Sequence, residues 1–349
     1  MVLDPQKNPL AHSVIEYLSQ TPALLHVLQS ISAAHEHYFQ PERLLICLEE
    51  RGKALTTFHR DLLQGKTALQ FNFLTIIILG LSAPWVDDSR SEFGREHLLA
   101  ARSMITDVLS ENEVTPLIHY IVGKYVYWDM ACSFLVDSSE QLPVENTSVD
   151  SFILQTKDMF HPTMGYSIDS FYLLASIGRY FRRIVDTGER DFPMEAILEE
   201  RLLEGVAVSQ KDEEIHWLSD GFRKIGLITL YRIKKRYPLG FVEDDDTEEL
   251  ILDYVRLTID ELSCTPITSS YLNLQSLQLL MAGAELTADD EDFRNEVRLR
   301  FKALFSLNRL RINIWVLELL EELWVLADNG ENITWLELML SKGWRLMLG

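Results

Sequence analysis

Apolar residues recur every three or four positions through most of the chain, the spacing that places them on one face of an α-helix. The clearest stretch spans residues 96–109, where Leu98, Ala101, Ile105 and Val108 share a face. The same pattern predicts ten further helices, over residues 23–38, 42–63, 115–136, 166–184, 195–207, 221–236, 247–264, 271–285, 291–305 and 308–326. Strand patterns are scarce. The prediction is an all-α fold, a large single array of about a dozen or more antiparallel helices.

Signals at the ends of these segments agree with the helix assignments. Thr115 before Pro116, and Ser167 before Asp169, are typical of helix starts. Two polar stretches, residues 137–151 and 187–193, interrupt the pattern and predict surface loops. The amphipathic pattern is the same on both sides of each stretch, and no fixed-period repeat is found. We therefore expect one domain over residues 1–349 rather than two independent ones.

The charge balance argues against direct nucleic-acid binding. The 349 residues include 53 acidic and 32 basic ones, for a net charge of −21, whereas phosphate binding draws on a basic surface. The four cations Arg232, Lys234, Lys235 and Arg236 fall at a helix end, where they favour the negative end of the helix dipole. The acidic run from Glu243 to Glu249, with Thr247 as a cap, suits a helix start; an acidic contact surface is the alternative.

Cysteine content and hydropathy indicate the cellular compartment of the protein. Cys47, Cys132 and Cys264 are odd in number and far apart, which argues against a disulfide framework and favours a reducing compartment. The amino-terminal residues have neither the basic nor the apolar part of a secretory signal. The strongly apolar run, residues 71–81, is too short to cross about 30 Å of hydrocarbon. We expect a buried helix there and no membrane partner.

No catalytic, metal or cofactor motif stands out. Gly65, Lys66 and Thr67 imitate the end of a phosphate-binding loop, but Arg60 occupies the place of its first glycine, so a turn between helices is favoured. His35 and His37 would point about 200° apart on a helix and could not share a metal without further ligands. We expect no catalytic residue, no metal site and no cofactor, and we expect that the protein is not an enzyme. A helical enzyme acting on apolar substrates stays as a minor alternative.

Large apolar and aromatic side chains are concentrated toward the carboxyl end. They fall on successive predicted helices, at Phe293, Val297, Phe301, Leu304, Phe305, Ile312, Trp315, Leu319, Leu323, Trp324, Trp335, Trp344 and Met347. They predict a packed core that closes the helical array. The alternative is a pocket for an apolar small molecule, because such pockets are lined by aromatic side chains with few polar groups.

The same region resembles a known family. Residues 279–324 resemble the carboxyl-terminal signature of the fungal-specific transcription factor domain, second type: an apolar helix ending in Ala-Gly-x-Glu at Ala282, Gly283 and Glu285, an acidic start at 289–292, and a last helix at 316–324. Further similar segments follow in the family's order, at residues 30–39, 49–58, 95–105, 161–177 and 227–233. The resemblance spans nearly the whole chain. Tyr231, Gly283, Glu285 and Trp324 match family positions, for which we expect structural roles; ligand-binding residues stay unknown.

The resemblance implies the regulatory domain of a nuclear transcription regulator that senses a metabolite or a partner. Family members carry a six-cysteine zinc cluster that reads DNA, but here the first cysteine is Cys47 and no Cys-x-x-Cys occurs. We therefore expect no direct DNA contact from this chain, an apolar small-molecule effector, and pairing as a homodimer or with a zinc-cluster transcription factor. The alternative is a DNA-binding-deficient protein that works only by pairing with a full-length regulator.

Overall fold

Helices make up 77% of the chain in the structure, a computed structural model, and the residues it describes contain no strand. These residues are 3–86, 89–111, 113–141, 146–204, 213–238 and 245–348, with the side chains of 12–15 and 245 left out. The predicted all-α array is confirmed. No described helix is long and apolar enough to span a membrane.

Sixteen α-helices are described. The first eight are α1 Leu10–Gln20, α2 Pro22–His37, α3 Arg43–Gln64, α4 Leu69–Leu81, α5 Ala83–Val86, α6 Arg95–Glu111, α7 Pro116–Ser133 and α8 Thr147–Thr156. The other eight are α9 Ile168–Thr187, α10 Phe192–Leu203, α11 Glu213–Arg236, α12 Asp245–Cys264, α13 Ser276–Gly283, α14 Glu291–Asn308, α15 Ile312–Asp328 and α16 Trp335–Ser341. Short 3₁₀ helices lie at Pro5–Lys7, Ser138–Glu140, Ser270–Leu274 and Ala288–Asp290.

Several predicted boundaries were wrong. Helix α8 begins at Thr147, inside the predicted loop 137–151, because the Asn146 side chain accepts hydrogen bonds from the amides of Ser148 and Val149. The Ser167 hydroxyl does not cap α9; it contacts the Ser219 hydroxyl at 2.9 Å. Thr247 lies within α12 rather than at its cap. Residues 205–207, 243 and 244, which belong to the predicted helix and acidic run, lie outside the described residues.

Other local predictions are confirmed. The Thr115 hydroxyl oxygen accepts a hydrogen bond from the Ile118 amide at the start of α7. Gly65 ends α3 with a φ of +59°, a left-handed conformation that suits glycine, so residues 65–67 form the expected turn between helices. The apolar run 71–81 lies in α4, where most side chains are buried. All three cysteines are free, with Cys264 exposed.

The chain divides into two compact units. The N-terminal unit comprises residues 2–129 and 145–163, and the C-terminal unit comprises residues 130–144 and 164–349 together with residue 1. In the N-terminal unit, α2 packs along α3 and α4 packs against α6. Val27, Ala54 and Leu79 form a buried cluster between these helices. A Cβ at Gly80 would lie 2.1 Å from the Trp128 ring, so only glycine fits beside that tryptophan.

The C-terminal unit is organised around α11. This helix packs against α9, α10, α12 and α13, and α14, α15 and α16 continue the array. Its side chains are buried on most sides, including Phe222, Ile225, Leu230 and Ile233. A helix that is apolar on most faces belongs in the middle of a helical layer. The carboxyl end of α11 is thereby held against its neighbours, which positions the polar residues described next.

Candidate functional site

The charged end of α11 is a densely charged polar site of the C-terminal unit. Its last turns carry Arg232, Lys234, Lys235 and Arg236, the basic stretch noted in the sequence. These side chains radiate from one helix end and meet carboxylates from four other segments: Glu199, Glu248, Glu285 and Glu337. We call these eight residues the α11 charge cluster.

Arg232 is the most enclosed cation of the α11 charge cluster. Its guanidinium donates to Glu285 at 2.6 Å and to Glu248 at 3.0 Å. Burial alone would lower the pKa of Arg232, but the two carboxylates raise it above its ordinary value. Burial by itself raises the pKa of Glu248, yet hydrogen bonds from Arg232 and Lys235 hold it below its ordinary value. Arg232 and Glu248 are therefore both charged at neutral pH.

The remaining three cations are also engaged. Lys234 lies 2.5 Å from Glu199, and Lys235 lies 2.7 Å from Glu248. Arg236 lies 3.3 Å from Glu337, which also accepts a hydrogen bond from the Tyr237 hydroxyl at 2.9 Å. Each cation thus has a carboxylate partner within the C-terminal unit. The helix end that would have offered the best basic patch for phosphate is electrostatically compensated.

The four family-motif positions lie around this region. The Trp324 indole donates to the Gly283 carbonyl oxygen at 2.8 Å, and a Cβ on Gly283 would lie 3.3 Å from Val297. Glu285 binds Arg232, and the Tyr231 ring stacks on Tyr254 at 6.3 Å. These contacts favour structural roles for the four positions, and that assignment stays a prediction.

The carboxyl-terminal aromatic residues fill the interior. Phe301, Trp324 and Trp335 are each at most 5% exposed, while Phe293 and Trp315 are half-buried. The guanidinium of Arg298 lies 4.8 Å from the centre of the Trp324 ring and closes its outer side. This arrangement matches the expected packed core. A ligand that used these aromatic side chains would have to separate packed helices.

A second polar site, in the N-terminal unit, was missed by sequence reasoning. It consists of His119, Tyr120 and Lys124 on α7 together with His161, and we call it the α7 polar cluster. The Tyr120 ring stacks on the His161 ring at 5.5 Å, and the His119 ring meets His161 edge-on at 5.3 Å. The available signal was that Lys124 is the only charged residue between Pro116 and Trp128.

Hydrogen bonding within the α7 polar cluster is incomplete. His161 is fully buried; its Nε2–H donates to the Tyr120 carbonyl oxygen, and its Nδ1 accepts from the Thr163 amide. Nε2 of the buried His119 has no hydrogen-bond partner, and Lys124 forms no ion pair with any residue that the structure describes. Burial lowers the pKa of His161 to about 3 and that of Lys124 to about 8.

Metal-ion chemistry finds no support among the described residues, which contain no group of three or more histidine, cysteine or carboxylate side chains placed to hold an ion. His37 contacts the Pro41 carbonyl oxygen, and the His35 ring lies against Trp85. The two side chains make separate contacts. The sequence prediction that they do not form a shared site stays a prediction.

The fold is all-α, and the basic end of α11 is paired with carboxylates of the same unit. Comparison with known families identifies its class: the model of the fungal specific transcription factor domain matches residues 1–349, the whole chain. The chain belongs to this family, as its resemblance implied. No curated protein and no solved structure matches it. A role in the regulation of transcription follows from the family.

Proposed function

We propose that this chain is the regulatory domain of a fungal transcription regulator, which senses a metabolite or a partner and controls transcription without contacting DNA itself. It would act in the nucleus and catalyse no reaction. The family assignment over residues 1–349 supports the regulatory role in general. The finer statements draw their support from the charge distribution and from the ion pairs within the C-terminal unit.

The observation that carries the proposal is the compensation of the α11 charge cluster. DNA binding gains most of its affinity when lysine and arginine side chains replace counterions on phosphates. Here the four cations at the end of α11 already bind carboxylates, and the chain carries a net charge of −21. Binding to a nucleic acid would break these internal ion pairs and would also have to overcome long-range electrostatic repulsion. Another module or partner would have to supply the DNA contact.

Regulation requires two states that an effector distinguishes, because a ligand with equal affinity for both shifts nothing. An apolar small molecule that binds between the carboxyl-terminal helices would stabilise an arrangement in which Trp324 and Trp335 have separated. A thermal-shift screen of the chain with sterols and fatty acids tests this part of the proposal. A rise in the unfolding temperature with one class supports it, and no change with any class opposes an apolar effector.

The regulatory role is tested by tethering. The chain is fused to a foreign DNA-binding module in yeast, and the output of a reporter is compared with that of the module alone. We expect the fusion to change the output. The Trp324→Ala fusion should lose the effect because its core is disrupted, while the Lys235→Met fusion, altered only at a surface ion pair, should keep it. An output equal to that of the module alone contradicts the proposal.

A second candidate function is that of a pairing partner which works only when bound to a full-length zinc-cluster regulator. The exposed leucine side chains of α3 favour some form of pairing, since large apolar faces on a soluble protein mark interaction sites. Capture of zinc-cluster regulators by the tagged chain from nuclear extract would support this candidate. Failure to recover any such regulator would oppose it.

A further inference from the structure

Two polar groups of the α7 polar cluster lack partners among the residues that the structure describes. Nε2 of His119 forms no hydrogen bond, although the residue is only 4% exposed. The Lys124 ammonium forms no ion pair and lies 5.9 Å from the centre of the Tyr120 ring. A buried polar group without a partner costs free energy, because it has lost its contact with water and gained no bond in return. Native proteins rarely leave such groups unsatisfied unless water, an ion or a ligand completes them.

Both groups belong to one contiguous set of side chains around His161. The His119 ring meets the His161 ring at 5.3 Å, and the Tyr120 ring stacks on His161 at 5.5 Å. Burial lowers the pKa of His161 to about 3, and the neighbouring Lys124 and His119 lower it further. The four side chains therefore lie within electrostatic reach of one another, inside the N-terminal unit.

The positive charge of the α7 polar cluster is uncompensated within the described part of the chain. Burial lowers the pKa of Lys124 to about 8 and also lowers that of His119, and no described carboxylate opposes either shift. At pH 7 the two histidines are neutral and the lysine is protonated, so the cluster carries a single positive charge. A ligand that supplied one negative charge would remove the free-energy cost of this cation.

The wall formed by His161 is fixed by hydrogen bonds of its own. Its Nε2–H donates to a backbone carbonyl oxygen of α7 at 3.1 Å, and its Nδ1 accepts from the Thr163 amide at 3.2 Å. The next residue is held as well, because the amides of Leu3 and Asp4 donate to the Pro162 carbonyl oxygen at 2.7 and 3.2 Å. A wall that is ordered in advance adds little entropy cost to the binding of a ligand.

Lys124 lies on the side of the cluster that reaches solvent. It is half-buried, whereas His119, Tyr120 and His161 are each at most 8% exposed. A charged group of a ligand can therefore reach the ammonium from solvent. Its apolar part would then lie against aromatic rings, the usual lining of a small-molecule site.

One positive charge beside flat rings fits a monocarboxylate with a planar apolar body. A carboxylate has enough acceptor oxygens for both the Lys124 ammonium and an Nε2–H of His119. A phosphate dianion would stay half-compensated, because His161 is neutral. A neutral apolar molecule would leave both groups without partners. The donor set thus selects by charge as well as by shape.

We propose that the α7 polar cluster binds a small organic monocarboxylate. Its oxygens accept from the Lys124 ammonium and from Nε2–H of His119, and its body lies against the rings of Tyr120 and His161. The proposal names a ligand class for the metabolite sensing proposed above and rests on that function only for its regulatory role. Binding is measured without transcription, so failure of the tethering experiment leaves it intact, and an absence of binding leaves the tethering result intact.

Benzoate is the probe that tests the ligand class. Calorimetric titration and thermal unfolding of the purified full chain are followed at constant ionic strength, with benzamide as the uncharged ligand of the same shape and inorganic phosphate as the dianion. We expect benzoate to bind with a dissociation constant of about 1 mM, as for other ligands of its size, and to raise the unfolding temperature by about 2 °C at ten times that concentration. Absence of benzoate binding, or equal binding of benzamide or phosphate, overturns the proposal.

Three variants test the location of the site. Lys124→Met removes the charge and His119→Phe removes the ring nitrogens; both proteins should fold, since neither change breaks an ion pair or hydrogen bond among the described residues. We expect Lys124→Met to weaken benzoate binding by about tenfold or more and His119→Phe by about three- to tenfold. Lys53→Met is the matched control, because Lys53 is 45% exposed on α3, and it should bind as the wild type does. Circular dichroism confirms folding. Benzoate binding that persists in both cluster variants lies elsewhere and overturns the proposal.

Discussion

Helices α7 and α11 both carry charged side chains in enclosed positions, but the ion pairing of these side chains differs. At the end of α11, Arg232 has two carboxylate partners, and its pKa is raised. On α7, Lys124 has no ion-pair partner among the described residues, and burial lowers its pKa to about 8. The comparison shows that the partners, rather than burial alone, determine whether an enclosed cation stabilises the fold or strains it.

The largest effect is expected where pairing is removed. Arg232→Met leaves Glu285 and Glu248 in an enclosed site without their main partner, and we expect a loss of about 2–4 kcal/mol in the free energy of unfolding. Urea denaturation measures it. Lys235→Met is the control, because Lys235 is 39% exposed and its surface ion pair should contribute less than about 1 kcal/mol. Equal effects of the two variants would remove the distinction between α11's enclosed and exposed pairs.

The opposite sign is expected on α7. Lys124→Met replaces an uncompensated cation with an apolar side chain of similar length, so the free energy of unfolding at neutral pH should rise by about 1–2 kcal/mol. The same change at the exposed Lys53, which pairs with Glu49 and Glu50, should not stabilise the chain. If Lys124→Met destabilises, Lys124 has favourable interactions that outweigh its burial, and the contrast with Arg232 fails.

The free-energy cost of enclosing the charged Lys124 side chain depends on pH. This dependence sharpens the comparison between α7 and α11. Below about pH 8 the lysine is charged in both the folded and the unfolded states, and the penalty is complete. Between pH 8 and its ordinary pKa of 10.5 the unfolded state binds more protons, so raising the pH favours the folded state. The stability gap between Lys124→Met and the wild type should therefore shrink from pH 8 to pH 10.5. A gap that stays constant across this window would show that the charge of Lys124 is not its cause.

The smallest effect is expected at His119. Its buried Nε2 has no hydrogen-bond partner among the residues that the structure describes, so His119→Phe should change the free energy of unfolding by less than about 1 kcal/mol, with a gain favoured. His161→Phe is the matched control. It leaves the Tyr120 carbonyl oxygen and the Thr163 amide without this partner, so it should cost about 1–3 kcal/mol. Thermal unfolding of both variants decides whether the two histidines differ as their hydrogen bonds indicate.

The sequence predicts most long helices, because burial of one helical face leaves a periodic pattern. Helices α2, α3 and α6 lie within two residues of their predicted bounds. Helices α1, α5, α8 and α16 were missed, since short helices contain too few turns for a clear period; α8 also lies in a polar stretch and depends on the Asn146 cap. Helix α11 begins at Glu213, eight residues before its predicted start, because its polar first turns weaken the pattern.

The sites were less predictable than the helices. The basic stretch at the end of α11 is visible in the sequence, but the contact of Arg232 with Glu285 joins residues 53 positions apart. Packing of two helices, rather than local spacing, creates that pair. The α7 polar cluster likewise needs His161 from beyond α8 to meet Tyr120. The sequence signal for this cluster was the isolated charge of Lys124 within an apolar stretch.

Direct measurement of DNA binding tests most plainly whether the compensated cations of α11 exclude DNA contact. Fluorescence anisotropy of labelled duplex DNA is followed as the purified chain is added at low ionic strength, where any electrostatic affinity is strongest. We expect no binding at micromolar concentration, because Arg232, Lys234, Lys235 and Arg236 are held by carboxylates. Binding that weakens steeply with added salt would show that the chain contacts phosphates itself, and would contradict a purely regulatory role.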